Sequence, residues 1–149
     1  MKEPLPYCDF PLPCTFRGTV ETGKQLGRKL GFPTANLILP GDAVTPPYGV
    51  YVCTLTVNGE DFPAVTNVGR HPTTPDGPAT VESHILTPGN HDLYGKQVTA
   101  TLYAFLRPEQ RFSGIEELIA AIDKNKRQAL EWFAENPGAL KHRSRETGL

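Results

Sequence analysis

The sequence of 149 residues predicts a mainly β fold, in which six antiparallel strands form a Greek-key-like barrel with one C-terminal α-helix packed on it. Fifteen prolines and fourteen glycines are typical of many turns and short strands rather than of a helical bundle. Several segments alternate apolar and polar residues, which is the period of a strand. One segment near the C-terminus instead repeats apolar residues at the 3/4 spacing of a helix.

The first two strands are expected on either side of a glycine-rich loop. Residues 1–13 contain four prolines and are predicted to form an extended lead-in. We expect a strand at 15–20, the glycine loop at 21–33 and a short strand at 35–39.

The centre of the chain predicts a hairpin. Residues 49–57 alternate, which places Tyr51, Cys53, Leu55 and Val57 on one face. Asn58-Gly59 is a strong signal for a two-residue turn into a strand at 61–68. Strands at 80–86 and 97–107 complete the barrel.

The last strand is predicted to alternate strictly between two faces. One face carries Val98, Ala100, Leu102, Ala104 and Leu106, and the other carries Thr99, Thr101, Tyr103 and Phe105.

A single helix is expected at 113–136. Ser113 is the predicted N-cap, with Glu116 reaching back to complete a capping box. The apolar stripe predicted to pack on the barrel contains Ile115, Leu118, Ile119, Ile122, Ala129, Leu130 and Phe133. We expect one domain over 1–149, with the barrel at 14–112 and a tail at 137–149.

Composition limits the classes of partner. The net charge of −1 gives no electrostatic footprint for nucleic acid. No apolar stretch approaches the ~18 residues of a membrane span, and the N-terminus lacks the apolar region of a signal peptide. Three cysteines without a C-x-x-C pair fit a reduced compartment. We therefore expect a cytoplasmic protein that binds neither nucleic acid nor a membrane. A monomer is also expected.

The stretch 27–37 combines features of a phosphate and metal site. Gly27 and Gly31 allow a tight backbone turn, and Arg28 adds positive charge suited to a phosphate. In an extended segment Thr34 and Asn36 share one face, and two neutral oxygens beside an anion-binding turn suit Mg²⁺. The alternative is a surface turn whose Thr and Asn bond only local backbone.

The segment 18–24 matches most of a Walker A motif. Gln25 stands where a hydroxyl should reach the metal, and the following glycines and proline do not permit the long helix of that motif. We reject a P-loop here.

The motif Gly27-Arg28-x-Leu30-Gly31-Phe32-Pro33-Thr34-Ala35-Asn36 resembles the signature of riboflavin kinases, both free-standing and as modules of bifunctional FAD synthetases. The resemblance extends from about residue 16 to 136. Further matching motifs, in order, are Pro47-x-Gly49-Val50-Tyr51, Asn67-Val68-Gly69 with Pro72-Thr73, Val81-Glu82-Ser83-His84, Leu93-Tyr94-Gly95 and Phe105-Leu106-Arg107-Pro108-Glu109.

Glu82 is the carboxylate of interest. Alternation places it on the face opposite to Val81 and Ile85, and by pattern alone a solvated strand glutamate is the favoured interpretation. The resemblance instead implies that Glu82 is the catalytic base, which takes the proton from the ribityl 5′-hydroxyl.

The resemblance also implies roles for other residues. Thr34 and Asn36 would hold Mg²⁺ on the ATP phosphates, while Arg107 and Phe112 would contact the flavin. The implied ATP-binding residues are Gly23, Gly27, Arg28, Gly31, Thr34, Asn36, Ile85 and Tyr94. For Tyr94 and Phe112 a place in the core is the alternative.

The function implied by the resemblance is ATP-dependent phosphorylation of riboflavin to FMN and ADP, with Mg²⁺ bound to ATP. Two alternatives stay open: a non-catalytic flavin- or nucleotide-binding barrel, and a kinase module excised from a bifunctional FAD synthetase.

Overall fold

The computed structural model describes residues 5–6, 8–21, 34–40, 44–70, 78–87 and 93–140. It confirms the predicted mainly β fold. The first and last residues of each strand lie within two residues of the predicted positions. The elements are β1 (Cys14–Thr19), β2 (Thr34–Ile38), β3 (Gly49–Val57), β4 (Glu60–Arg70), β5 (Ala79–Ile85), β6 (Gln97–Pro108), α1 (Ile115–Glu135) and a 3₁₀ turn (Pro137–Leu140).

The six strands form one antiparallel sheet in the order β1-β6-β3-β4-β5-β2. The sheet curls, and the Glu21 amide donates to the Asn36 carbonyl at 2.8 Å. This bond joins the chain just after β1 to β2, the strand at the opposite end of the order. The result is a curled half-barrel that is partly closed at this point.

The inner face of the sheet carries the larger core. Tyr51, Leu55 and Val81 are at most 1% exposed and belong to this inner cluster, as the alternation of β3 predicts. The Tyr51 hydroxyl donates to the Pro47 carbonyl at 2.5 Å. Burial of each such large apolar side chain contributes roughly 1.5–3 kcal/mol, so the inner face is the main source of stability.

The outer face carries a second cluster, on which α1 packs. Val50, Val52, Val65 and Leu106 of the sheet contact Ala129 and Phe133 of the helix. The predicted helix stripe is therefore only partly right. Ile115 and Leu130 are 55% and 52% exposed, whereas Asn125, a polar residue, is buried with Ala129 and Phe133.

The predicted capping box is wrong by one residue. α1 begins at Ile115 with Gly114 as N-cap, so the N3 position belongs to Glu117 rather than Glu116. Gly114 provides no side-chain cap. The Glu117 carboxylate accepts from the Ser113 amide at 2.9 Å and from its hydroxyl at 2.7 Å. These two bonds lower the pKa of Glu117.

The strict alternation predicted for β6 is also wrong. Cys53 pairs with Leu102 and Val52 with Ala104, which leaves Tyr103 as an extra residue. Each such bulge shifts the following residues to the other face. Phe105 consequently joins the inner cluster, while Ala104 and Leu106 pack on the outer one.

The Asn58-Gly59 turn between β3 and β4 has positive φ at both residues, 53° and 81°, as a two-residue hairpin requires. In the described part of the chain, no helix is long and apolar enough to cross a membrane.

Candidate active site

A row of side chains crosses the outer face of the sheet over five strands. Asn36 on β2 lies opposite Glu82 on β5, and Glu82 lies opposite Asn67 on β4. Asn67 in turn lies opposite Val50 on β3, whose other neighbour is Arg107 on β6. Directly opposite residues have Cα atoms about 4.5–5.5 Å apart. Residues far apart in the sequence are thus brought into one row, which α1 covers at Val50.

Glu82 is the second residue of this row, between two asparagines. Its chain neighbours Val81 and Ser83 are buried in the opposite direction, and Ser83 shares a 2.6 Å hydrogen bond with Thr66 there. The Glu82 side chain is half-buried on the outer face, as the alternation predicts. None of the described residues forms a hydrogen bond or an ion pair with its carboxylate. A partly shielded carboxylate of this kind is available to a ligand.

Thr34 and Asn36 share the outer face of β2, as predicted from their spacing. The intervening Ala35 and the following Leu37 belong to the inner cluster, so both polar side chains point the other way. Register places Asn36 beside Glu82 and Thr34 beside His84. A hydroxyl and an amide oxygen next to a carboxylate form an oxygen-donor set that fits Mg²⁺.

Arg107 marks the other end of the row. Its Nε donates to Asn125 Oδ1 at 2.9 Å, and one terminal nitrogen donates to the Pro108 carbonyl at 3.3 Å. Its guanidinium carbon lies 5.4 Å from the centroid of the Phe112 ring. Burial lowers the pKa of Arg107, and nearby Glu109 partly offsets this effect.

Asn125 fixes this arginine from the helix. It is 3% exposed, and its Nδ2 donates to Gln128 Oε1 at 2.9 Å. Sequence reasoning missed this residue. A signal was available, because Asn125 is a polar residue at the 3/4 spacing between Ile122 and Ala129 of the apolar stripe.

Sequence reasoning also gave no role to Asn67, although it noted the motif that contains it. The role of a residue in the middle of the row depends on cross-strand register. Register cannot be read from one strand alone.

The two predicted nucleotide-contacting side chains, Ile85 and Tyr94, are not members of this row. Ile85 packs against the inner cluster, on the face opposite to Glu82. Tyr94 is 65% exposed, so the alternative of a core position does not hold for it. It precedes Gly95, whose amide donates to the Val20 carbonyl at 2.9 Å, close to the start of the glycine loop. The predicted phosphate-binding residues Gly23, Gly27, Arg28 and Gly31 lie outside the described residues.

Comparison with known proteins gives consistent matches. The sequence model of the Flavokinase family, described as riboflavin kinase, matches residues 10–133. A bifunctional riboflavin kinase/FMN adenylyltransferase of Listeria monocytogenes is 37% identical over 123 residues, which cover 82% of this chain and 39% of that protein. The chain therefore spans about two fifths of that relative's length.

Two solved structures share the fold. A riboflavin kinase from Trypanosoma brucei has a TM-score of 0.62 and 23% identity, covering 91% of this chain and 88% of that one. A protein named macrolide-efflux protein from Streptococcus pneumoniae has a TM-score of 0.72 and 30% identity, covering 80% of this chain and 39% of that one. The first of these has the same architecture over nearly its whole length.

Proposed function

Because this chain belongs to the riboflavin kinase family, we propose that it transfers the γ-phosphoryl group of ATP to the ribityl 5′-hydroxyl of riboflavin, giving FMN and ADP. The observation that carries the proposal is the row in which Glu82 stands between Asn36 and Asn67, with Arg107 at its far end. A site that only binds a flavin has no need of a carboxylate base.

In this proposal Glu82 acts as the general base. Its carboxylate accepts the proton of the 5′-hydroxyl as that oxygen forms a bond to the γ-phosphorus, and the bond from phosphorus to the bridging oxygen of ADP breaks. Phosphoryl transfer requires mainly positioning and charge stabilisation from the protein. The row supplies positioning, because β-sheet register fixes Glu82 relative to its two neighbours.

Thr34 and Asn36 are the proposed ligands of Mg²⁺, since their oxygens share the face of Glu82. When bound, this ion neutralises charge on the ATP phosphates. The side chains orient the nucleotide on β2, so that the γ-phosphate lies next to the base.

Arg107 and Phe112 are the proposed contacts for the flavin ring. The Phe112 face and the planar guanidinium are already paired, and the bond to Asn125 holds Arg107 to the helix. A flat aromatic ligand can stack on such a pair. The phosphate contacts are proposed at Gly23, Gly27, Arg28 and Gly31, with Tyr94 against the nucleotide. For Ile85, whose side chain packs on the inner cluster, the nucleotide contact is a prediction from the resemblance alone.

The test is product formation by the purified chain. Incubation with riboflavin, ATP and Mg²⁺, followed by chromatography, should give FMN and ADP in equal amounts, and no ADP when riboflavin is omitted. From FMN and ATP we expect no FAD, because the family match is to a kinase over 10–133. Tight flavin binding without FMN would support the binding barrel instead. Monomeric state and cytoplasmic location remain predictions.

A further inference from the structure

Gly69 on β4 lies directly beneath a carboxylate that the proposed mechanism does not use. A Cβ added at Gly69 would overlap Glu109 Oε2 and lie 3.2 Å from its Cδ. Pro108 at the end of β6 pairs with Gly49, which pairs with Val68, so the chain after β6 comes close to Gly69. The missing side chain at Gly69 thus allows the Glu109 carboxylate to lie on the sheet.

This carboxylate is on the same face as the row. Val68 points into the inner cluster, so Asn67 and Gly69 face outward. The Cβ position of Gly69 is only 3.5 Å from Asn67 Nδ2. Glu109 also interacts with the charge of Arg107. Asn67 and Glu109 therefore stand together between Glu82 at one end and Arg107 at the other.

A substrate that reaches from Arg107 and Phe112 to Glu82 must cross β3 and β4, because the strand order is β6-β3-β4-β5. On β3 the row passes through Val50, which packs against α1, so the substrate must pass beside that residue. The Gly69 side of Val50 presents the carboxylate of Glu109 next to the amide of Asn67. An amide and a carboxylate are satisfied by a chain bearing successive hydroxyl groups. A plain alkyl chain would cover these groups without bonding them, which is unfavourable.

We propose that Glu109, held over Gly69, is a specificity-determining residue that with Asn67 binds the secondary hydroxyls of the ribityl chain. This inference rests on the proposed function and adds the recognition of the polyol to it.

The test is flavin binding, measured by fluorescence quenching for riboflavin and for lumiflavin, which carries a methyl group in place of the ribityl chain. Glu109→Ala should weaken riboflavin binding by about tenfold, as expected when a hydrogen bond to a charged group is lost. Lumiflavin binding should not change. Glu131→Ala, at an exposed position on α1, is the matched control and should alter neither ligand.

Gly69→Ala gives a second, independent readout. Its Cβ would push the Glu109 carboxylate aside, so it should weaken riboflavin binding as Glu109→Ala does. In the Glu109→Ala background it should add little, because the two substitutions remove the same contact. If Gly69→Ala fails to fold, as judged by circular dichroism, the inference is tested by Glu109→Ala alone, through its effects on riboflavin and lumiflavin binding.

Two results would overturn the inference: unchanged riboflavin binding in Glu109→Ala, or equal weakening for lumiflavin. The outcome is separate from that of the proposed function, which fails only if the unaltered chain makes no FMN. Binding can be measured in either case.

Discussion

At the scale of single residues, the setting of Glu82 comes from its cross-strand neighbours rather than from residues near it in the sequence. Asn36 and Asn67 flank it on β2 and β4, and both are half-buried. Their amides can donate to a carboxylate or to a phosphate oxygen and can accept from a hydroxyl. A small change on any of these three strands therefore alters the surroundings of the same carboxylate.

Thr34→Val is predicted to raise the Mg²⁺ concentration needed for half-maximal activity by about tenfold, the effect of losing one oxygen contact worth ~1.4 kcal/mol. The substitution removes an oxygen at nearly constant shape. Titration of activity with Mg²⁺ at fixed ATP checks this, with Thr34→Ser as the control that keeps the hydroxyl. An unchanged Mg²⁺ requirement in Thr34→Val would remove Thr34 from the metal site.

At the scale of elements, β6 positions Arg107, the proposed contact for the flavin. Its bulges return Phe105 to the inner cluster and direct Arg107 to the outer face, where Asn125 of α1 binds it. The bulged strand also passes very close to the start of β3. Gly49 has φ +155°, and a Cβ there would meet the Arg107 carbonyl and lie 2.9 Å from Pro108 Cα.

Gly49→Ala is therefore predicted to lower the free energy of unfolding by about 3 kcal/mol or more, because backbone strain and a clash with backbone atoms add. Gly59→Ala is the matched control. Gly59 also has positive φ, +81°, but no atom lies within 4 Å of its Cβ position, so only strain of about 1 kcal/mol is expected. Urea unfolding of both variants checks this. Equal costs would show that the close approach at Gly49 is unimportant.

The elements also show how far sequence reasoning reaches. Alternation predicted the faces of β3 and the outward direction of Glu82, because both strands are regular there. It failed on β6, where bulges reset the faces without any mark in the sequence pattern. The helix start was misplaced because Ser113 resembles an N-cap, whereas the backbone uses Gly114. The proposed role of Glu82 came from the resemblance to riboflavin kinases, whereas the spacing of Thr34 and Asn36 already suggested a Mg²⁺ site, with a local turn as the alternative.

At the scale of the whole molecule, the sheet has two differently used faces. The inner face is filled by the larger core, while α1 packs on part of the outer face, including Val50 of the row, and leaves the polar members of the row beside it. Cys53 belongs to this core, and Cys8 and Cys14 are partly buried against it. Burial raises the pKa of the Cys53 thiol to about 12. Burial, with a smaller electrostatic contribution from Cys8, raises the pKa of the Cys14 thiol to about 11.

These shifts predict alkaline destabilisation. Below pH 9.0, the ordinary pKa of a thiol, both folded and unfolded states keep the proton and stability does not depend on it. Above this pH the unfolded thiol ionises while the buried Cys53 stays neutral, so the free energy of unfolding falls by ~1.4 kcal/mol per pH unit for that group. The fall should continue to about pH 12, the folded pKa of Cys53.

Urea unfolding between pH 8 and 11 measures this slope. Cys53→Ala removes the titrating group, so it should make the slope shallower by about the same ~1.4 kcal/mol per unit, whatever its effect on stability at neutral pH. An identical slope in the variant would mean that Cys53 ionises as readily in the folded state as in the unfolded state.

The central claim for the whole molecule is that the fold serves to place Glu82 beside the reacting hydroxyl, and Glu82→Gln tests it most directly. Glutamine keeps the size and hydrogen-bonding capacity of the side chain but cannot accept a proton at neutral pH. Single-turnover formation of FMN should slow by about 10²–10⁴-fold, the usual contribution of a positioned base. Riboflavin and ATP affinity, measured by fluorescence and calorimetry on the same variant, should change little. Glu131→Gln on α1 controls for loss of an exposed charge. A single-turnover rate in Glu82→Gln close to that of the unaltered chain would contradict the assignment of Glu82 as the base.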